Sequence, residues 1–155
     1  LKRKTPFSVI PGGVSGGMPV LAGRALGTGS IDLVGVLLAL SVLLWIPIHI
    51  LTFAMRYAED YRAANIPTFP AVFGEGLTRL VLSLSTVLAG MAMLFAVYLN
   101  GVQGLYLLAS FVAVFLLIAL VVFCSVYSSP KRNFLIFKAA SLYMLVSMVL
   151  VGLAR

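Results

Sequence analysis

The sequence predicts an all-α, polytopic membrane protein with five transmembrane helices, and three observations predict it. Of the 155 residues, 62% are hydrophobic and only 10% are charged, with a mean hydropathy of +1.14. Globular domains run at about 45–50% apolar and about 25% charged, so a soluble fold has too little polar surface to cover this chain. The apolar residues fall into unbroken runs, several of them near the roughly 20 residues that cross a bilayer. The basic residues fall between those runs, mostly in alternate links. These observations exclude a soluble domain, a disordered tail and a disulfide scaffold. The single cysteine, Cys124, has no internal partner.

Taken in order, the first run covers residues 6–22 and is the least apolar. It contains Pro11 and Pro19, and Gly12, Gly13, Gly16 and Gly17 form two overlapping GxxxG pairs. Small residues at that spacing let a neighbouring helix approach closely, so the segment reads as a packed, kinked membrane helix; a backbone surface shaped for a ligand is the alternative. Four stronger runs follow at roughly 31–55, 77–99, 105–127 and 134–153. Asp32, after Gly29-Ser30, opens the second helix, where a carboxylate is favoured by the helix dipole. Asn100-Gly101-Val102-Gln103-Gly104 is a tight link that makes its flanking helices antiparallel. Ser129 and Pro130 fit the cap and first position of the last helix. The whole chain, 1–155, reads as one transmembrane domain carrying one polar functional loop at 57–76. It opens Leu-Lys-Arg-Lys without an initiator methionine, and the expectation is a piece of something longer. No stretch resembles a cleavable signal peptide.

Eleven Lys/Arg against four Asp/Glu give a net charge of +7. With the charges set between spans, this reads as topology and anionic headgroups rather than nucleic acid. Lys2, Arg3, Lys4, Arg56, Arg62, Arg79, Lys131, Arg132 and Lys138 fall on one side, and Arg24 and Arg155 on the other. The positive-inside rule therefore makes the amino terminus and the 57–76 and 127–133 loops cytoplasmic and the carboxyl terminus external, in a multi-pass protein of a plasma membrane.

Three of the four acids, Glu59, Asp60 and Glu75, lie in the 57–76 loop. Adjacent carboxylates between Arg56 and Arg62 suit a divalent ion shared with phosphate, because Mg²⁺ binds through one or two carboxylates plus substrate phosphates and water. A solvated loop with a surface ion pair is the alternative. His49, the single histidine, lies inside a span, where ionisable groups are costly and face a cavity or a partner. If its helix runs on through Asp60, then His49, Arg56 and Asp60 share one face at i, i+7 and i+11. The alternative is a histidine satisfied by the backbone, at a carbonyl freed by Pro47, or by a neighbouring helix. Lys138 either snorkels to the surface or lines the same cavity. Phe7, Trp45, Phe53, Tyr57, Tyr61, Phe69 and Phe73 gather at the same end, as interface belt and packing or as ring faces for a prenyl chain or cation.

Four stretches together resemble the carboxyl-terminal half of the UbiA superfamily of intramembrane prenyltransferases. Leu1-Lys2-Arg3-Lys4-Thr5-Pro6 is similar to the basic entry to that family's fifth helix. Gly12-Gly13-Val14-Ser15-Gly16-Gly17-Met18-Pro19 resembles its GGxxGxxP helix. Trp45-Ile46-Pro47-Ile48-His49 resembles the WxPxH element of its heme O synthase branch. Glu59-Asp60-Tyr61-Arg62-Ala63-Ala64-Asn65-Ile66-Pro67 resembles its second acidic motif, which ends in an A-(G/N)-x-P turn. The resemblance implies the last five helices of a nine-helix bundle around a central cavity. It implies farnesyl transfer from farnesyl diphosphate to a vinyl group of heme b, with Mg²⁺ as cofactor. By position, Asp60 and Glu59 become the catalytic, metal-side carboxylates. Lys2, Arg3, Arg56, Arg62 and Lys131 become diphosphate contacts, and His49, Tyr57 and Tyr61 line the heme or acceptor pocket. The family's first acidic motif is absent from this chain, so the implied partners include a missing amino-terminal half as well as the bilayer. A prenyltransferase with a lipid or aromatic acceptor and a non-catalytic assembly subunit are the competing readings.

Overall fold

A computed structural model of the chain describes residues 5–127 and 129–153. After a 3₁₀ turn at Pro6–Ser8, six helices follow: α1 (Val9–Thr28), α2 (Leu33–Arg56), α3 (Ala58–Ala63), α4 (Phe69–Leu99), α5 (Leu105–Val126) and α6 (Pro130–Leu153). Helices are what an apolar chain must form in lipid, where each backbone polar group needs a partner within its own segment. Helices α2, α4, α5 and α6 are long and apolar enough to cross a membrane and match the four stronger runs. The protein is therefore an integral membrane protein. Helix α1 fills the place of the weaker run with 20 residues; its glycines, prolines and Arg24 dilute its hydropathy, and it is not among those four.

Helix α2 is the hub. It packs against α1, α4 and α6, and α5 closes the ring by packing against both α4 and α6. Lipid is as apolar as leucine, so hydrophobicity alone does not hold such helices together; close packing and interhelical hydrogen bonds do. The glycine pairs of α1 serve this purpose. A Cβ on Gly17 would lie 2.8 Å from the Ala39 carbonyl oxygen, and one on Gly16 would lie 2.7 Å from Ile46 Cδ1. On α4 the buried stripe Leu82, Ser85, Thr86, Ala89, Gly90, Ala92, Met93, Ala96 and Val97 repeats at helical spacing. Gly90 there admits Val114 of α5. Hydroxyls sealed in this core bond back to their own helices: Ser41 to the Leu38 carbonyl, Thr52 to that of Ile48 and Thr86 to that of Leu82.

Polar ties also cross the bundle. Trp45 Nε1 donates to the Ala140 carbonyl at 2.9 Å, pinning α2 to α6. At the end opposite the acidic loop, the Arg24 guanidinium donates to Asp32 Oδ2 at 2.8 and 3.1 Å and to Asn100 Oδ1 at 2.7 Å. This joins the ends of α1, α2 and α4. Asp32 also caps α2 by accepting from the Gly35 N–H at 2.8 Å. Bonding to Arg24, then to Gly35, holds its carboxyl below the usual carboxylate range. The expected helix-terminus role is present, and Arg24 adds to it.

The segment expected as an open loop at 57–76 is partly helical. It holds α3, and α4 starts at Phe69, with Pro70 in its first turn. A break at Gly74 (φ 80°, ψ 166°) separates that first turn from the span. Positive φ there is inexpensive for glycine alone. Beyond it the Thr78 hydroxyl donates to the Gly74 carbonyl at 2.7 Å, and Arg79 pairs with Glu75. At the start of α6, the Arg132 N–H donates to Ser129 Oγ at 3.3 Å, so the expected cap and Pro130 start are both in place.

Candidate functional site

The carboxyl end of α2 and the short α3 enclose an open cleft of about 330 Å³ lined by Phe53, Tyr57, Asp60, Tyr61, Ala64 and Ile66. The first five stand at i, i+4, i+7, i+8 and i+11, which is one helical face. This face survives although α2 ends at Arg56 and Tyr57 leaves helical geometry (φ −104°, ψ 30°). The backbone bridges the break: the Tyr57 N–H donates to Phe53 O and the Tyr61 N–H to Tyr57 O, both at 3.1 Å. The cleft is closed by a turn in which the Asn65 N–H donates to Arg62 O and the Ile66 N–H to Tyr61 O. Asn65 sits at φ 53°, a left-handed conformation that glycine and asparagine tolerate and other residues resist. That is the physical content of the A-(G/N)-x-P pattern.

Of the residues proposed from sequence, the cleft gathers Asp60, Tyr57 and Tyr61. Glu59 is exposed and does not line it, as expected for neighbours about 100° apart on a helix. Arg56 ends α2, with its guanidinium carbon 4.0 Å from the centroid of Phe134 and 5.6 Å from that of Tyr57. Arg62 lies exposed in the last turn of α3. Lys2 and Arg3 lie outside the described residues, and Lys131 is described only by its backbone place in the first turn of α6. Glu75 is engaged by Arg79.

His49, Arg56 and Asp60 do not lie on one continuous helix, since α2 ends at Arg56 and α3 begins at Ala58, and of the three only Asp60 lines the cleft. It stands one turn below Phe53 and is held by neighbouring side chains rather than by a carbonyl freed at Pro47. Its ring packs between Trp45 (centroids 4.8 Å apart) and Phe137 (4.2 Å), and Nδ1 meets Ser141 Oγ at 3.3 Å. Phe137 stacks on Phe134 at 5.4 Å and lies 6.2 Å from Phe53, which in turn packs on Tyr57 at 4.5 Å. An aromatic column thus climbs from Trp45, through His49 and Phe137, to the cleft wall and the Arg56 cation. Lys138 is exposed, 5.2 Å from the centre of the Phe134 ring, which fits snorkelling. The aromatics expected as one group therefore divide, since Phe7, Phe69 and Phe73 form a separate cluster at the start of α4.

Sequence reasoning missed Phe134, Phe137 and Ser141. They stand at i, i+3 and i+7 on one face of α6, but that spacing carries no hint of a partner on α2. It also passed over Ala64 and Ile66, which line the cleft because the Asn65 turn folds back over it.

Among the described residues, no group of three or more His, Cys, Asp or Glu side chains is placed to hold a metal. Asp60 instead presents one carboxylate at the mouth of an otherwise apolar and phenolic cleft. That donor set fits an ion that takes one or two protein carboxylates and completes its shell with phosphate and water.

The protoheme IX farnesyltransferase of Archaeoglobus fulgidus is 40% identical over 152 residues, covering 97% of this chain and 51% of that protein. That of Desulforudis audaxviator is 38% identical over 148 residues, covering 94% of the chain and 46% of the relative. That of Thermofilum pendens reaches 53% over 75 residues, which is 48% of the chain and 27% of the relative. The chain thus spans about half the length of the relatives that match nearly all of it. No solved structure matches it. The model of the UbiA prenyltransferase family matches residues 1–149, and the chain belongs to that family.

Proposed function

We propose that this chain is the carboxyl-terminal part of an intramembrane farnesyltransferase that converts heme b to heme O. The observation that carries the reading is Asp60 set at the mouth of a cleft walled by Phe53, Tyr57 and Tyr61, in a chain whose near-full-length matches are named protoheme IX farnesyltransferases. The donor is farnesyl diphosphate and the acceptor is heme b. The complementary part is an amino-terminal half, a reading supported by relatives about twice the length of this chain, and the surroundings are the bilayer, with the cleft on the cytoplasmic side and the carboxyl terminus outside.

The chain's residues divide the work. Asp60 offers a carboxylate oxygen to Mg²⁺, which when bound neutralises charge on the departing diphosphate. Arg56 lies beside the cleft, 5.6 Å from the centre of the Tyr57 ring, and guanidinium groups suit phosphate oxygens through paired N–H donors; Arg62, Lys2, Arg3 and Lys131 complete the proposed set of basic diphosphate contacts. Phe134 holds the Arg56 guanidinium against its face, fixing that cation near the mouth. The allylic C1–O bond breaks and its electron pair leaves with the diphosphate. The π pair of a heme vinyl group forms the new carbon–carbon bond. Water adds to the resulting cation beside the porphyrin ring, giving the hydroxyethylfarnesyl chain and releasing a proton. Phe53, Tyr57 and Tyr61 turn aromatic surface toward the cleft, where ring faces stabilise a cation. His49 faces the acceptor lower in the column.

The test is an acceptor exchange in the complete protein, with farnesyl diphosphate and Mg²⁺ constant and products read by mass spectrometry. Farnesylated heme is the expected product. Product from quinone-type aromatic or lipid acceptors, with none from heme b, overturns the heme reading. Recovery in a membrane assembly without any prenyl product favours the assembly role.

A further inference from the structure

We infer that Ser141 is a positioning residue that fixes His49 as the Nδ1–H tautomer, so that Nε2 presents a lone pair to the iron of the heme acceptor. The iron part of this inference rests on the function proposed above; the tautomer part does not.

The assignment follows from proton counting. A serine hydroxyl has one proton to donate. That of Ser141 is spent along its own helix, on the Phe137 carbonyl at 2.8 Å. The contact between Ser141 Oγ and His49 Nδ1 at 3.3 Å then needs its proton from the ring, so Nδ1 carries it. A neutral imidazole protonated at Nδ1 has a bare Nε2, and the hydrogen bond made by one ring nitrogen sets the state of the other. Among the described residues Nε2 makes no hydrogen bond, so its lone pair is left for a ligand. Trp45 and Phe137 flank the ring, which restricts its rotation. The Trp45 indole is itself anchored to the Ala140 carbonyl, next to Ser141. Three successive features of α6 (the Phe137 ring, the Ala140 carbonyl and the Ser141 hydroxyl) thus set one imidazole on α2. Iron–imidazole ligation uses this arrangement, a neutral ring whose second nitrogen is oriented by a hydrogen bond.

The experiment uses the complete protein in lipid nanodiscs, labelled with ¹⁵N-histidine. His49→Gln identifies the His49 signals, and Ser141→Ala is compared with Ser141→Thr, which keeps the hydroxyl. In the wild type, Nδ1 gives a protonated signal and Nε2 an unprotonated one. Ser141→Ala moves both toward the average of two tautomers, and Ser141→Thr restores the wild-type pair. A protonated Nε2 in the wild type, or signals unchanged in Ser141→Ala, overturns the inference. Titration with heme b, followed by its absorption band, gives the second readout. Ser141→Ala weakens binding about tenfold, the lower end of the usual effect of a residue that orients a metal ligand, and adds nothing in a His49→Gln background. Wild-type heme affinity in both single variants overturns iron ligation while leaving the farnesyltransferase reading intact. Wild-type protein that makes farnesylated product only from other acceptors overturns the heme reading, and the nitrogen signals still decide the tautomer.

Discussion

Placing a methyl group on Gly17 tests the seam between α1 and α2. The new Cβ would stand 2.8 Å from the Ala39 carbonyl oxygen, 3.4 Å from its carbonyl carbon and 3.6 Å from its Cα. All three are backbone atoms of a helix, so no side-chain rotation relieves the contact and α1 must move away by several tenths of an ångström along the seam. Inserting one methyl into a packed core costs about 1–3 kcal/mol, and Gly17→Ala belongs near the upper part of that range. Two neighbouring substitutions calibrate it. At Gly16 the contact is Ile46 Cδ1 at 2.7 Å, the end of a flexible side chain, and at Gly12 nothing lies within 4 Å. Gly16→Ala therefore costs less than Gly17→Ala. Gly12→Ala is neutral or gains up to about 1 kcal/mol from higher helix propensity. Reversible unfolding in mixed micelles, with cysteine cross-linking between α1 and α2 as a local reporter, ranks the three. A Gly12→Ala protein less stable than Gly17→Ala would refute the seam geometry.

Two further outcomes follow from the loop and the opposite end. Asp32 has its folded-state pKa lowered below 3.8 by Arg24 and the Gly35 N–H, so its contribution is complete above that value and is lost as pH falls through the folded-state value. Stability titrated downward from pH 6 should hold until about pH 4 and then decline, and Asp32→Asn should lower the plateau and flatten the decline. Asn65 at φ 53° should accept glycine with little change, whereas Asn65→Val should cost about 1–2 kcal/mol, the penalty of a left-handed residue. It should also loosen the turn over the cleft, read as faster proteolysis within 57–68.

How much of this was legible in the sequence depended on range. The Ser129–Pro130 start of α6 and the Asp32 cap are governed by residues a few positions apart, and both were readable. The four apolar spans were readable because bilayer thickness sets their length. The GxxxG pairs announced close packing but not the partner, and only the fold shows Gly17 against Ala39 of α2. The break at Tyr57 and the positive φ of Gly74 were hidden. Nothing local forbids tyrosine in a helix, and helices tolerate a glycine, so the 57–76 segment read as a loop where most of it is helical. The environment of His49 was beyond local reading, since Ser141 is 92 residues away and the ring stack depends on α6 packing beside α2. The Arg24–Asn100 bond spans 76 positions and was hidden for the same reason. The acidic motif was legible as a motif. That Asp60 lines the cleft and Glu59 does not required the helical phase of α3.

The most direct measurement compares Asp60→Ala with Glu59→Ala in the complete protein, supplied with heme b, farnesyl diphosphate and Mg²⁺, by quantifying farnesylated heme per unit of membrane-inserted enzyme. Loss of a preorganised group that stabilises transition-state charge costs about 10²–10³ in rate, and a loss of that order is expected for Asp60→Ala at unchanged insertion, with a smaller one for Glu59→Ala. Farnesylated heme formed by Asp60→Ala at the wild-type rate would contradict the account.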